Sequence, residues 1–112
     1  MIIAVATDGE YVSAHFERCQ TYTLVKIVDG NVKEKNFFGN PRHSPGAIPQ
    51  FLNEMGAKRI VCGEMGPRAM ELFKQYSIEM QTGVEGRVED VIQKLAQGTL
   101  TGDVSPCTLA MV

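Results

Sequence analysis

No stretch of this 112-residue chain carries a basic run, and its formal net charge is only −2, from 11 Lys and Arg against 13 Asp and Glu. Grip on nucleic acid through phosphates needs a clustered cationic footprint, so no nucleic-acid partner is expected. No apolar run approaches the roughly 18 residues that cross a bilayer, so no membrane partner is expected either. The apolar start, Met1 to Thr7, has no charged segment before it and meets Asp8 at once. It reads as a strand rather than a secretion signal. Glycine (11) and proline (5) are too few for a fibrous or linker-like chain. With 44% hydrophobic and 21% charged residues the composition is that of an ordered globular protein, and the length is that of one domain.

Several chemistries lack their signatures. The three cysteines, Cys19, Cys62 and Cys107, form no CxxC pair, and His15 and His43 stand apart from them, so there is no zinc pattern. An odd set of thiols without a secretion signal is expected to be reduced, which points to a cytoplasmic location. Neither GxGxxG nor GxxxxGK[ST] occurs. Ser13, Ser44 and Ser105 have no GxSxG setting, leaving a serine nucleophile without support.

What is present is a sequence of short apolar segments whose period changes midway. Met1–Thr7 is a continuous apolar run, suited to a strand buried on both faces. Thr21–Val28 and Val32–Phe38 flank Asp29-Gly30-Asn31 and read as a hairpin, the second arm charged at Lys33, Glu34 and Lys35 as an edge strand would be. The loop from Gly39 to Pro49 has three prolines and two glycines. Ile48, Phe51, Leu52 and Met55 then begin a helical spacing that recurs at Ala69, Leu72, Phe73 and Tyr76 and again at Val88, Val91, Ile92 and Leu95. Arg59–Gly63 and Ser77–Thr82 read as strands between the helices.

The resulting order, β-β-β-α-β-α-β-α, predicts an α/β fold: a mixed five-stranded sheet in the order 3-2-1-4-5 with three helices. The domain is expected over residues 1–102, with 103–112 a flexible tail. If the crossover strands run parallel to the first strand, the loops Asp8–Gln20, Gly39–Ala47, Gly63–Pro67 and Gly83–Gly86 open at one edge of the sheet. Ligands of open α/β sheets bind outside the carboxyl ends of the strands.

That edge gathers the reactive residues. Asp8, Glu10, His15 and Cys19 lie in the first loop, Arg42 and His43 in the second, and Cys62, Glu64, Met65 and Arg68 border the third. Imidazole and sulfur donors suit transition metals and metal–sulfur clusters. Taken singly, Cys62 reads as a buried strand residue, and a lone loop histidine reads as surface. Two histidines on one rim make a joint case, with His15, His43 and Cys19 as candidate metal ligands. Gly63-Glu64-Met65-Gly66-Pro67-Arg68 joins a strand to a helix, with Pro67 starting the helix and free N–H groups at its positive end. An anion is welcome there, and Arg42, Arg68 and Arg87 would add charge. The same turn is also consistent with an ordinary strand-to-helix connection.

The segments Ile3-Ala4-Val5-Ala6-Thr7-Asp8-Gly9, Val12-Ser13-Ala14-His15-Phe16, Asn40-Pro41 and Cys62-Gly63-Glu64-Met65-Gly66-Pro67-Arg68-Ala69 together resemble the dinitrogenase iron–molybdenum cofactor-binding family, which includes NifX-like and NifB carboxyl-terminal-like proteins. The resemblance spans roughly residues 1–102. It implies a ribonuclease H-like three-layer sandwich and the binding or carriage of an iron–molybdenum–sulfur or molybdenum–copper–sulfur cluster. It places the family's His-Phe on His15-Phe16 and its glycine turn on Gly63–Pro67. Glu64 stands where the family more often has glycine, and Cys107 is not followed by His.

The expected function is that of a small non-enzymatic carrier or scaffold for an anionic metal–sulfur cluster or oxyanion, exchanging it with donor or acceptor proteins. One alternative is a divalent-metal nuclease using Asp8 and Glu64, since two-metal phosphoryl chemistry needs clustered carboxylates. Another is a cofactor-free regulatory module.

Overall fold

The computed structural model describes residues 1–40 and 47–98 in full and the backbone of 103–105. Its first strand, β1 (Ile2–Asp8), is buried along nearly its whole length. Alternation of side chains splits it between two cores: Ile3 and Val5 face one, Ala4 and Ala6 the other. A strand with no polar face needs neighbours on both edges, and it has them. β3 (Thr21–Val28) pairs antiparallel with β1 from Ile2↔Lys26 to Thr7↔Thr21, and β5 (Ala57–Val61) pairs parallel on the other side.

β3 turns into β4 (Asn31–Gly39) through Asp29 and Gly30, whose φ values of 52° and 77° are those of a two-residue hairpin turn matched to strand twist. β4 is the outer strand and is exposed except at Phe38. β6 (Glu79–Thr82) lies parallel to β5. Helices α1 (Ala47–Glu54) and α2 (Pro67–Gln75) cover one face, burying Ile48, Leu52, Ala69 and Phe73 against Ala4, Tyr22 and Ile60. α3 (Val88–Gln97) covers the other, burying Val88, Val91, Ile92 and Leu95 against Ile3, Val5 and Val61. Its first turn holds Glu89 and Asp90 and its last turn Lys94, both favourable to the helix dipole, and Gly98 at φ 73° closes it. Among the described residues no helix is long and apolar enough to cross a membrane.

Among the described residues the sheet has seven strands rather than the five expected, in the order β4-β3-β1-β5-β6-β7 (Asp103–Ser105), with β2 (Tyr11–Val12) attached to β1. β2 (Tyr11–Val12) folds back on β1 about Gly9, pairing Thr7↔Val12 and Asp8↔Tyr11. Two residues cannot display a period, which is why the sequence reads them as loop. β7 (Asp103–Ser105) pairs antiparallel with β6 inside the segment expected to be a flexible tail. Backbone pairing to a neighbour, not side-chain pattern, specifies it.

Candidate functional site

The carboxyl ends of β1, β5 and β6 meet at one edge, where backbone hydrogen bonds stitch three loops together. Gly63 N–H donates to Ser13 O (2.9 Å), and Glu64 N–H to Ala14 O (2.7 Å) with Phe16 N–H to Glu64 O (3.4 Å) makes a short parallel bridge between His15 and Glu64. Gly83 N–H donates to Gly63 O (2.6 Å), and Val12 N–H to Gly86 O (2.9 Å). The His15 loop is also tied from below. Phe16 is buried, its ring meeting Phe73 edge-on at 5.5 Å. The carbonyl of Phe16 accepts from Tyr22 Oη (2.5 Å) and Cys19 Sγ (3.3 Å). Asn40 Nδ2 donates to the carbonyls of Glu17 (2.8 Å) and Cys19 (2.9 Å), clamping the loop to the end of β4. Ser13 Oγ donates to His15 O and accepts from His15 N–H, fixing the backbone at the histidine.

Above this scaffold opens a cleft of about 640 Å³, walled by His15, Arg18, Gly63, Glu64, Met65 and Gly66, with Glu17 and Met70 also reaching it. A second cleft of about 490 Å³ lies across the His15–Glu64 bridge, toward Tyr11 and the Gly83–Gly86 turn. His15 Nδ1 and Glu64 Oε2 are 3.8 Å apart, with both side chains more than half exposed. An exposed pair at this separation adds little to folding. Gly66, on the cleft wall, caps α2 with no side-chain hydrogen bond, and Pro67 follows at the first helical position, so α2 begins beside the cleft.

His15, Gly63, Glu64, Met65 and Gly66 therefore share one wall, whereas Cys19, Arg68 and Arg87 lie elsewhere. Cys19 is wholly buried among Phe16, Tyr22 and Phe73, and burial pushes its thiol up. A closed, protonated thiol is a packing group, and a metal on the rim has no path to it. Arg68 is exposed on the first turn of α2 and does not border the cleft, and Arg87 points its guanidinium at Glu10, 3.4 Å away. Arg42, His43 and Cys107 lie outside the described residues. Cys62 is buried, as its strand setting implies, and desolvation pushes its thiol up to about 12.

Asp8, the proposed nuclease carboxylate, is occupied as a loop tie, its Oδ1 accepting from Gln20 N–H at 2.9 Å. Among the described residues no three His, Cys, Asp or Glu side chains converge closely enough to hold a metal ion. Glu17, Arg18 and Met70 are among the lining residues that the sequence does not mark. Arg18 sits in an aperiodic loop, where nothing marks which side chain faces inward. Met70 lies one turn after Gly66, whose carbonyl its N–H meets at 3.1 Å, and that i+4 offset from a glycine turn was the available signal.

The family described as dinitrogenase iron–molybdenum cofactor matches residues 1–98. The chain belongs to that family. An uncharacterized protein of Methanocaldococcus jannaschii, MJ0580, is 30% identical over 105 residues, covering 89% of each chain. The crystal structure of PH0822 superposes with a TM-score of 0.85 at 33% identity, over 92% of this chain and 95% of the other. The apo form of the orange protein from Desulfovibrio gigas superposes with a TM-score of 0.76 at 22% identity and 94% coverage of both chains, a likeness of fold. Membership in the dinitrogenase iron–molybdenum cofactor family supports cofactor binding as the general task of this chain.

Proposed function

We propose that the protein is a small cytoplasmic carrier or scaffold that holds an anionic metal–sulfur cluster as cargo and passes it between donor and acceptor proteins, with no turnover of its own. The three-layer architecture is read here as ribonuclease H-like. The observation that carries the proposal is the cleft at the strand ends, which His15 and Arg18 line together with Gly66, the residue that begins α2. Helix amino ends accept anions through free N–H groups and the dipole, and the guanidinium adds charge and donors. The shallow, open form suits a cargo that must leave again. Arg42 and His43 join the ligand set on sequence grounds. The cargo class is an iron–molybdenum–sulfur or molybdenum–copper–sulfur cluster, in keeping with the family and with the fold shared with the orange protein.

Purification without oxygen from cells supplied with iron and molybdate tests this reading. The expected product is coloured, with visible absorption bands and metal and sulfide in fixed ratio to protein. A colourless protein that takes up neither metal nor sulfide from an anaerobic cluster source would overturn it.

A further inference from the structure

Four groups on the cleft wall do nothing for an anion. Glu17 and Glu64 repel it, and the thioethers of Met65 and Met70 offer no hydrogen bond to donate. We propose that this cleft is also a site for a single soft monovalent cation, copper(I), held between the thioether sulfurs of Met65 and Met70 and the imidazole of His15. The proposal goes beyond cluster carriage and does not require a cluster to be present.

The donor chemistry comes first. Thioether ligands favour copper(I), which imidazole also suits, whereas zinc is held by thiolate, imidazole and carboxylate sets without thioether. The described residues bring no three His, Cys, Asp or Glu side chains together, so a harder ion has no comparable ligand set there. Met65 comes from the glycine turn and Met70 from the next turn of α2, and both border the same cleft as His15. Each is only partly buried, packed on one side against the core. Methionine inside a core is a gap-filler, and these two pack against the core while also bordering the cleft.

His15 is anchored at its backbone, where Ser13 Oγ accepts from its N–H at 3.2 Å, and its exposed side chain lines the cleft with Glu64 Oε2 3.8 Å from Nδ1. An exposed neutral imidazole can offer a ring nitrogen to a metal. Glu17 and Glu64 line the cleft beside Arg18, so carboxylates are at hand to balance a single positive ion when no anionic cargo is bound.

The experiment uses the full chain carrying methyl-13C methionine, titrated with silver(I) as a redox-stable stand-in for copper(I). Only the Met65 and Met70 methyl signals should shift at the first equivalent, with those of Met1, Met55, Met80 and Met111 unmoved. In anaerobic competition with a copper(I) chelator, Met65→Leu/Met70→Leu and His15→Ala should each weaken binding at least about tenfold. Shifts at other methionines, no shift at Met65 and Met70, or unchanged copper(I) affinity in the double variant would overturn the proposal. Tetrathiomolybdate binding, measured on the same double variant, should persist. Failure of wild type to bind thiomolybdate would instead strike the cluster reading and leave the copper(I) result standing.

Discussion

Gly63 and Ala14 approach so closely that a Cβ on Gly63 would lie 2.7 Å from both the Cα and the carbonyl oxygen of Ala14. No side chain fits there without moving backbone. The glycine therefore lets the His15 loop lie flat against the end of β5, and the two hydrogen bonds from Gly63 and Glu64 follow from that contact. Gly63→Ala is expected to cost about 1–3 kcal/mol, as overpacking against rigid neighbours does, and to loosen the cleft. Gly66 has open space around its Cβ position and a φ of −75°, so Gly66→Ala should change stability by less than about 0.5 kcal/mol. Urea unfolding of the two variants side by side checks the contrast.

Asn40 acts on the site from outside it. Its amide clamps the carbonyls of Glu17 and Cys19, the two residues that bracket Arg18. Asn40→Ala should destabilise by about 1–3 kcal/mol through carbonyls left without their donor. Amide hydrogen exchange should speed up in residues 14–20 more than in the sheet. Equal acceleration throughout would mean that the clamp serves the whole fold.

Strands and helices were legible in the sequence wherever a period had room to appear. The apolar run Ile2–Ala6 could only be a strand with neighbours on both edges, and three stripes at helical spacing marked α1, α2 and α3. Asp29-Gly30 announced the hairpin because both residues tolerate positive φ. β2 and β7 were not legible, being two and three residues long and specified by what they pair with. At the site, the glycine turn and His15 were readable because strand direction sends their loops to one edge. Cys19 misled: four residues from His15, it seemed able to share its face, but the chain turns its thiol inward beneath Phe16. Loop sequence does not encode which side chains face in, so Arg18 stayed hidden for the same reason.

The buried aromatic contact beneath the cleft should matter more to folding than any rim residue. Phe73 is wholly buried and meets Phe16 at 5.5 Å. Phe73→Ala is expected to cost about 3–5 kcal/mol from lost burial and the cavity left behind. His15→Ala and Arg18→Ala should each stay within about 0.5 kcal/mol of wild type, since both side chains are exposed. Thermal and urea unfolding would show the separation.

Alkaline pH should find the buried thiols. Desolvation raises Cys62 from 9.0 to about 12, so between those values the folded state keeps a proton that the unfolded state releases. Stability from this group is then full below pH 9 and falls as pH rises toward 12, at up to about 1.4 kcal/mol per pH unit. Tyr22 and Cys19, also raised by burial, act in the same direction. Cys62→Ala should flatten the alkaline limb of a stability–pH profile. An unchanged slope would show that Cys62 is not protonated in the folded protein across that range.

Cargo binding at the His15–Arg18 cleft is tested most directly by anaerobic titration of tetrathiomolybdate into wild type, His15→Ala, Arg18→Ala and His43→Ala, with circular dichroism on each sample. Wild type should bind saturably, and each substitution should weaken binding about tenfold, or ~1.4 kcal/mol, while leaving the fold intact. Four folded proteins that bind alike, or a wild type that does not bind, would contradict the account.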